Sequence, residues 1–233
     1  MDNFTRIPFN ASNLDRYYIR TSIVKAIEDQ LSVLSGKLLD IGCGKMPYKK
    51  FILEKSNVIL YTGLDIEEAI TYDAQVKPDY IWNGMNMPFE DNSYDCALGT
   101  EVLEHCPSPE IILNEVCRVL KPGGLFMGTV PFLWPLHEVP HDEYRFTPYA
   151  LERHLHAAGF TAIEICATGG WHASMAQMLG LWTRRSGLSL RSRKVLSYII
   201  KPIMSKLIKM DAGTPVSFKE SQMITGLSFT AKK

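Results

Sequence analysis

The stretch Leu38–Tyr48, LLDIGCGKMPY, constrains the fold more than any other part of this sequence. An apolar run ends in an acid and is followed by two glycines one residue apart, which predicts a buried strand that stops in a tight turn. Gly42 and Gly44 permit positive φ and let a ligand approach the backbone closely. Because the N–H groups of such a turn bind polar atoms, the stretch predicts a ligand-binding turn, with glycines required only for packing as the alternative.

The pattern repeats once, and the remaining elements alternate. A second strand over 57–65 ends in Asp65, where nucleotide-binding α/β folds place an acid that binds ribose hydroxyls. Further strands are predicted at 79–82, 94–99, 125–130, 162–167 and 224–231, and helices at 12–35, 48–55, from 107–109 to a stop at 121–124, and at 147–160. Strands that alternate with helices predict an α/β fold, a doubly wound and mostly parallel sheet.

Composition sets the class of chain. With 233 residues we expect one α/β domain over 1–233, with a helical cap over 1–35 and an insertion over about 169–222. Lys+Arg and Asp+Glu balance at 25 each, so net charge favours no partner, and the five cysteines are scattered. We therefore expect a reducing, cytoplasmic location without a signal peptide or a membrane-spanning segment.

Polar or small residues follow the strands that should meet at one sheet edge. They are Asp40, Gly42 and Gly44, then Asp65, then Asn83 and Gly84, then Thr100 and Glu101. An extended ligand with a ribose and an aromatic base would use them together. A nicotinamide dinucleotide is disfavoured, because Pro47 stands where its fingerprint needs a third glycine.

Four stretches together resemble class I S-adenosylmethionine (SAM) methyltransferases of the UbiE/UbiG-like, methyltransferase type 11 kind. They are LLDIGCGKMPY, GLD, NGMNMPFEDNSYDCALGTEVLEH and RVLKPGGLF, within about 36–168. The resemblance implies a seven-stranded Rossmann-like sheet of order 3-2-1-4-5-7-6 with an antiparallel last strand. It also implies S-adenosyl-L-methionine as cofactor.

The same resemblance assigns the cofactor-binding residues. The methionine part would contact Asp40, Gly42, Cys43 and Gly44; the ribose Asp65 and Ile66; the adenine Asn83, Gly84 and Met85; and the sulfonium Thr100, Glu101 and His105. The family usually has Asp at the adenine position. We expect the amide oxygen of Asn83 to accept the adenine amino group instead.

The segment 131–149, PFLWPLHEVPHDEYRFTPY, is the predicted acceptor loop, because it follows the fifth strand and is long and rich in proline and aromatics. A hydroxyl acceptor needs a base, and we expect His141, oriented by Asp142 or Glu138, with His137 and His105 as the other candidates. The alternative is a structural loop held by Arg145. The loop resembles methyltransferases encoded beside cell-surface polysaccharide genes, which implies a glycan acceptor.

Two features leave alternatives open. The spacing Glu101-x-x-Glu104-His105 resembles a metal-binding segment of ubiquinone-pathway O-methyltransferases, but it is equally typical of a plain cofactor-pocket wall, so a metal stays open. Residues 184–209 carry eight cations and no acid, which fits contact with the inner face of a membrane or a solvated helix face. Nothing in the sequence supplies a nucleic-acid module.

The sequence thus predicts a SAM-dependent methyltransferase, with O-methylation of a small-molecule or glycan hydroxyl as its reaction. The alternatives are a non-catalytic SAM-binding partner protein and a methyltransferase for a quinone or phenol, a lipid or an RNA. The oligomeric state stays open.

Overall fold

The computed structural model describes residues 4–66 and 77–233. Its sheet has seven strands in the order β3-β2-β1-β4-β5-β7-β6, as predicted. The strands are β1 Ser35–Ile41, β2 Asn57–Ile66, β3 Tyr80–Trp82, β4 Tyr94–Thr100, β5 Leu120–Pro131, β6 Thr161–Ala167 and β7 Gly226–Lys232. The helices are α1 Tyr17–Gln30, α2 Lys49–Lys55, α3 Pro109–Val119, α4 Pro148–Ala157, α5 Trp171–Arg185 and α6 Leu190–Asp211, with a 3-10 turn at Leu103–His105.

The strands β3, β2, β1, β4 and β5 pair in parallel, and β7 runs against them. The backbone N–H of Gly123 donates to Lys233, and that of Lys233 to Gly124, so the start of β5 meets the end of β7. A Cβ on Gly128 of β5 would lie 2.7 Å from the ring of Phe229 in β7, so glycine lets these strands pack there. The predicted antiparallel last strand is confirmed.

Two predicted helix ends are wrong. The helix predicted over 12–35 is confined to α1, and Gly36 lies in β1 with φ of +69° instead of ending a helix. The stop predicted at 121–124 already belongs to β5, because Leu120 pairs with Tyr94. Proline and glycine mark an irregular strand start here as readily as a helix end.

The chain divides into two compact units. One comprises 26–130, 136–165 and 228–233 and contains β1 to β4 complete; the other comprises 1–25, 131–135 and 166–227 and contains α5 and α6. In the second unit, Leu14, Ala176, Ile200 and Met204 form a buried apolar cluster.

The basic segment 184–209 forms the end of α5 and most of α6. Ser189 caps α6 by accepting the backbone N–H of Ser192 at 3.1 Å, and Pro202 lies inside the helix. Within the described part of the chain, every helix is too short or too polar to cross a membrane.

Candidate functional site

A cavity opens at the carboxyl ends of β1, β2 and β4. It has a volume of about 690 Å³ with its open mouth, and such volumes are typical of small-molecule sites. It is lined by Ile41, Gly42, Gly44, Asp65, Ile66, Trp82, Glu101, Val102, His105, Cys106, Ile112 and Glu138. Six residues predicted to bind the cofactor are therefore in its wall: Gly42, Gly44, Asp65, Ile66, Glu101 and His105.

The glycine turn after β1 is built as the sequence predicts. Gly42 and Gly44 have φ of +61° and +50°. A Cβ on Gly42 would lie 2.6 Å from Val102 Cγ2, so a larger residue would both strain the turn and collide with the opposite cavity wall. Asp65 accepts the backbone N–H of Gly44 at 2.8 Å and that of Ile66 at 2.9 Å. Burial raises the pKa of Asp65.

Asp40 and Cys43 support this turn from outside the cavity wall. Asp40 is 2% exposed, and its Oδ2 accepts the hydroxyl of Tyr61 at 2.6 Å. Burial raises the pKa of Asp40 to about 7. Cys43 is buried, and burial raises the pKa of its thiol as well. Neither side chain lines the cavity, so their assignment to cofactor contact stays a prediction.

The predicted adenine segment differs from expectation in one respect. The amide oxygen of Asn83 accepts the backbone N–H groups of Met85 at 3.0 Å and Asn86 at 3.1 Å. This oxygen is therefore occupied by a local turn and is poorly placed to receive an adenine amino group. Asn83 and Met85 are exposed and, like Gly84, stand outside the lining, whereas the adjacent Trp82 is buried within it.

Trp82 was missed by sequence reasoning. It closes β3 beside the predicted adenine residues, and an aromatic side chain at that strand end was the available signal.

The backbone after β4 is strained where it enters the cavity. Glu101 has φ of +55°, which is uncommon for a residue with a side chain and is often found at functional sites. It is fixed by two bonds to Thr129, from its N–H to the Thr129 carbonyl at 2.9 Å and from the Thr129 hydroxyl to its Oε1 at 2.8 Å. Thr100, the preceding residue and a predicted cofactor contact, stands outside the lining.

Glu104 is a buried carboxyl at this end of β4. It is 0% exposed, and neither carboxyl oxygen has a hydrogen-bond partner among the described residues. Burial, with a further contribution from nearby Glu101, raises the pKa of Glu104 well above its usual range. Its carbonyl accepts the N–H groups of Glu143 and Tyr144 and so ties part of the predicted acceptor loop to this segment.

His105 is the histidine that lines the cavity. Its Nδ1 lies 2.7 Å from the carbonyl oxygen of His141. Since a carbonyl only accepts, Nδ1 carries the proton and Nε2 is left as the basic nitrogen. Nε2 lies 3.7 Å from a carboxyl oxygen of Glu104 and 3.7 Å from one of Glu138. A proton taken up at Nε2 would thus lie between two carboxyl groups.

The loop also has its own charged network. Arg145 donates to both oxygens of Asp142, at 2.6 and 2.9 Å, and this pairing lowers the pKa of Asp142 to about 2. Asp142 also accepts the N–H of His137 at 3.1 Å. The expected pairing of Arg145 with Asp142 is therefore present.

The arrangement of His141 does not match the expectation. Asp142 orients Arg145 and His137 rather than the ring of His141, which is exposed and outside the cavity lining. His137 packs edge-on against His105 with ring centroids 4.7 Å apart. Burial lowers the pKa of His137. The structure thus brings His105 and His137 together and uses His141 through its backbone.

Three ligand-type side chains also converge here. Atoms of Glu104, His105 and His137 lie within 4.8 Å of one another, close enough to hold a metal ion. This set differs from the predicted motif, because His137 from the loop joins it while Glu101 is bonded to Thr129.

Comparison with known proteins agrees with this geometry. Residues 39–128 match the family described as a methyltransferase domain. A sterol 24-C-methyltransferase of Gibberella zeae is 36% identical over 100 residues, which cover 39% of this chain and 26% of that protein. A fatty-acid O-methyltransferase of Mycolicibacterium smegmatis is 29% identical over 154 residues, which cover 59% of this chain and 51% of that protein.

A solved structure extends the likeness of fold to nearly the whole chain. Phosphoethanolamine N-methyltransferase 2 of Haemonchus contortus, in complex with S-adenosyl-L-methionine, superposes with a TM-score of 0.55 at 17% identity. The match covers 99% of this chain and 58% of that chain.

Sheet order, glycine turn and cavity define a class I methyltransferase fold. More particularly, residues 39–128 are a SAM-dependent methyltransferase domain. The chain spans about a quarter to a half of the length of the two curated relatives.

Proposed function

We propose that this protein transfers the methyl group of SAM to a hydroxyl of a small-molecule or glycan acceptor, with His105 as the general base. The observation that carries the proposal is the position of His105. It lies in the wall of the same cavity as Gly42, Gly44 and Asp65, and its basic Nε2 is set by the bond from Nδ1 to His141.

The residues present fit SAM. The Asp65 carboxylate stands at the cavity wall beside the glycine turn and would accept the ribose hydroxyls. The positive-φ glycines leave space for a ligand against the backbone, and Trp82 offers an apolar wall for the base. When bound, SAM supplies a methyl group that is already activated toward a nucleophile.

The remaining chemistry belongs to the chain. A hydroxyl is a poor nucleophile at neutral pH, and proton removal by a positioned histidine typically contributes about 10²–10⁴ in rate. His105 Nε2 would take that proton, and the carboxyl groups of Glu104 and Glu138 at 3.7 Å would stabilise the imidazolium when ionised.

The acceptor class is narrowed by chemistry more than by likeness. One relative methylates a sterol carbon by its name and another a fatty-acid oxygen, so relatives support small molecules and leave the atom open. A base in the cavity wall favours oxygen, because deprotonation increases the nucleophilicity of a hydroxyl. Lipid-linked glycans are included, and for these we propose a position at the inner face of the membrane.

Turnover of methyl-labelled SAM against nucleotide-sugars, lipid-linked glycans, phenols and fatty acids tests the proposal. We expect one hydroxyl class to be methylated by the wild type and by His156→Ala, a control at an exposed histidine of α4. Tight SAM binding with no turnover on any class would instead support a non-catalytic SAM-binding partner.

A metal-assisted reaction is the second candidate, favoured by the convergence of Glu104, His105 and His137. A divalent ion there would lower the pKa of a bound hydroxyl. Chelation by EDTA separates the two. Unchanged turnover after EDTA, with a mild effect of His137→Ala, supports the histidine base; turnover lost with EDTA and restored by magnesium or zinc supports the metal.

A further inference from the structure

One face of α6 is exposed and apolar. Val195, Tyr198, Ile199 and Ile203 are 59%, 65%, 54% and 44% exposed, and their spacing places them along one side of the helix. The opposite side carries Ser197, Ile200 and Met204, which are buried, the last two in the apolar cluster with Leu14 and Ala176. The helix is therefore anchored by one face, while its other face presents large apolar side chains to solvent.

Basic residues are interleaved with this exposed face. Arg191, Lys194, Lys206 and Lys209 are exposed at positions that share its helical spacing. Residues 184–209 contain no acid, although the chain as a whole is electrically neutral. The acid that ends α6, Asp211, is turned to another task, since it accepts the N–H groups of Gly170 and Ala173. The exposed apolar strip therefore lies in a locally positive surface.

Helix α5 of the same unit adds a second exposed apolar strip. Trp171, Met175, Met178 and Trp182 are each about half exposed and recur at helical spacing. Tryptophan and tyrosine favour the boundary between lipid headgroups and acyl chains.

We propose that the exposed face of α6 docks this protein on the surface of an anionic lipid bilayer. The apolar side chains would enter the boundary between headgroups and acyl chains, and the cations would meet anionic headgroups. The inference deepens the proposed function by giving a surface for reaching lipid-linked acceptors, but binding to vesicles is measured without turnover. Failure of either is thus distinguishable.

Charge complementarity favours a bilayer over other occupants. A second copy that packed α6 against α6 would bring cations against cations with no acid on the face to offset them. A nucleic acid would find valine and isoleucine where stacking needs a series of aromatic rings.

Flotation of the full chain with phosphatidylcholine vesicles, with and without phosphatidylglycerol, tests the inference. We expect binding only with phosphatidylglycerol, weakened by salt. The double variant Lys194→Gln/Lys206→Gln should weaken binding about 10–30-fold, because each cation near an anionic surface contributes about 1 kcal/mol. The exposed pair Tyr198→Ser/Ile199→Ser should weaken it at all salt concentrations.

Matched controls lie in the other unit: Lys50→Gln on α2 and Ile59→Ser on β2, both exposed. They should bind vesicles like the wild type, and all variants should keep their SAM affinity. Wild-type protein that stays off phosphatidylglycerol vesicles would overturn the inference, as would face variants that bind like the controls. A dimer in sedimentation that Tyr198→Ser/Ile199→Ser dissociates would show that a second copy covers the face.

Discussion

Two sides of one cavity differ in how they are built. The glycine turn and Asp65 belong to β1 and β2, and a single backbone bond, from Gly44 to Asp65, joins them. The opposite side, Glu101–His105, depends on the loop 131–149, whose backbone fixes the His105 ring and binds the Glu104 carbonyl. The first side offers a ligand backbone groups and one carboxylate, and the second offers a basic nitrogen between carboxyl groups. This contrast implies that cofactor affinity and turnover respond to different residues.

The largest expected effect is on the loop-supported side. His105→Ala should lower kcat by roughly 10²–10⁴ and leave SAM affinity within a few-fold, because the base acts on the acceptor. Steady-state kinetics combined with calorimetry measures both quantities. His105→Gln separates proton transfer from hydrogen bonding, and full activity in it would remove His105 as the base.

On the glycine-turn side, the effect should fall on affinity. Asp65→Ala should weaken SAM binding by about 1–3 kcal/mol, roughly 5–150-fold, because buried ribose hydroxyls lose their acceptor. At saturating SAM, kcat should stay near wild type. Glu90→Ala, at an exposed acid in a turn, is the control. Unchanged affinity in Asp65→Ala would place the ribose elsewhere.

The neighbouring carboxyl, Asp40, should affect stability instead of binding. Its pKa is about 7 in the folded protein, well above its value in an unfolded chain. Between about pH 4 and 7 the unfolded state loses this proton while the folded state keeps it, so wild-type stability should fall as pH rises and then level off.

Asp40→Asn should remove this fall, because its amide oxygen still accepts the Tyr61 hydroxyl. Denaturant unfolding across that pH range should show a difference of roughly 1–3 kcal/mol between the two proteins, growing with pH. Asp91→Asn, an exposed acid, should run parallel to the wild type. A variant curve parallel to wild type at position 40 would mean that Asp40 is ionised throughout.

The smallest expected effect is at His141. His141→Ala should change kcat less than about threefold, since its carbonyl, which orients His105, is retained. A loss of 10² or more with unchanged melting temperature would return the base to His141, the residue that the sequence favoured.

The difference between the two sides also explains what the sequence could predict. The order of the sheet, the glycine turn and Asp65 follow from local patterns, and the turn and Asp65 lie in consecutive strands. His105 and His141 are 36 residues apart, and the bond between them depends on how the loop folds back. Nearness in sequence made Asp142 look like the partner of His141, whereas Arg145 and His137 compete for it in three dimensions.

Calorimetric titration of the wild-type protein with SAM, S-adenosylhomocysteine and NAD tests the central claim most directly. The geometry of Gly42, Gly44 and Asp65, with Pro47 in place of a third glycine, predicts one site that binds SAM and S-adenosylhomocysteine. NAD should bind far more weakly or not at all. Tighter binding of NAD than of SAM would contradict the account.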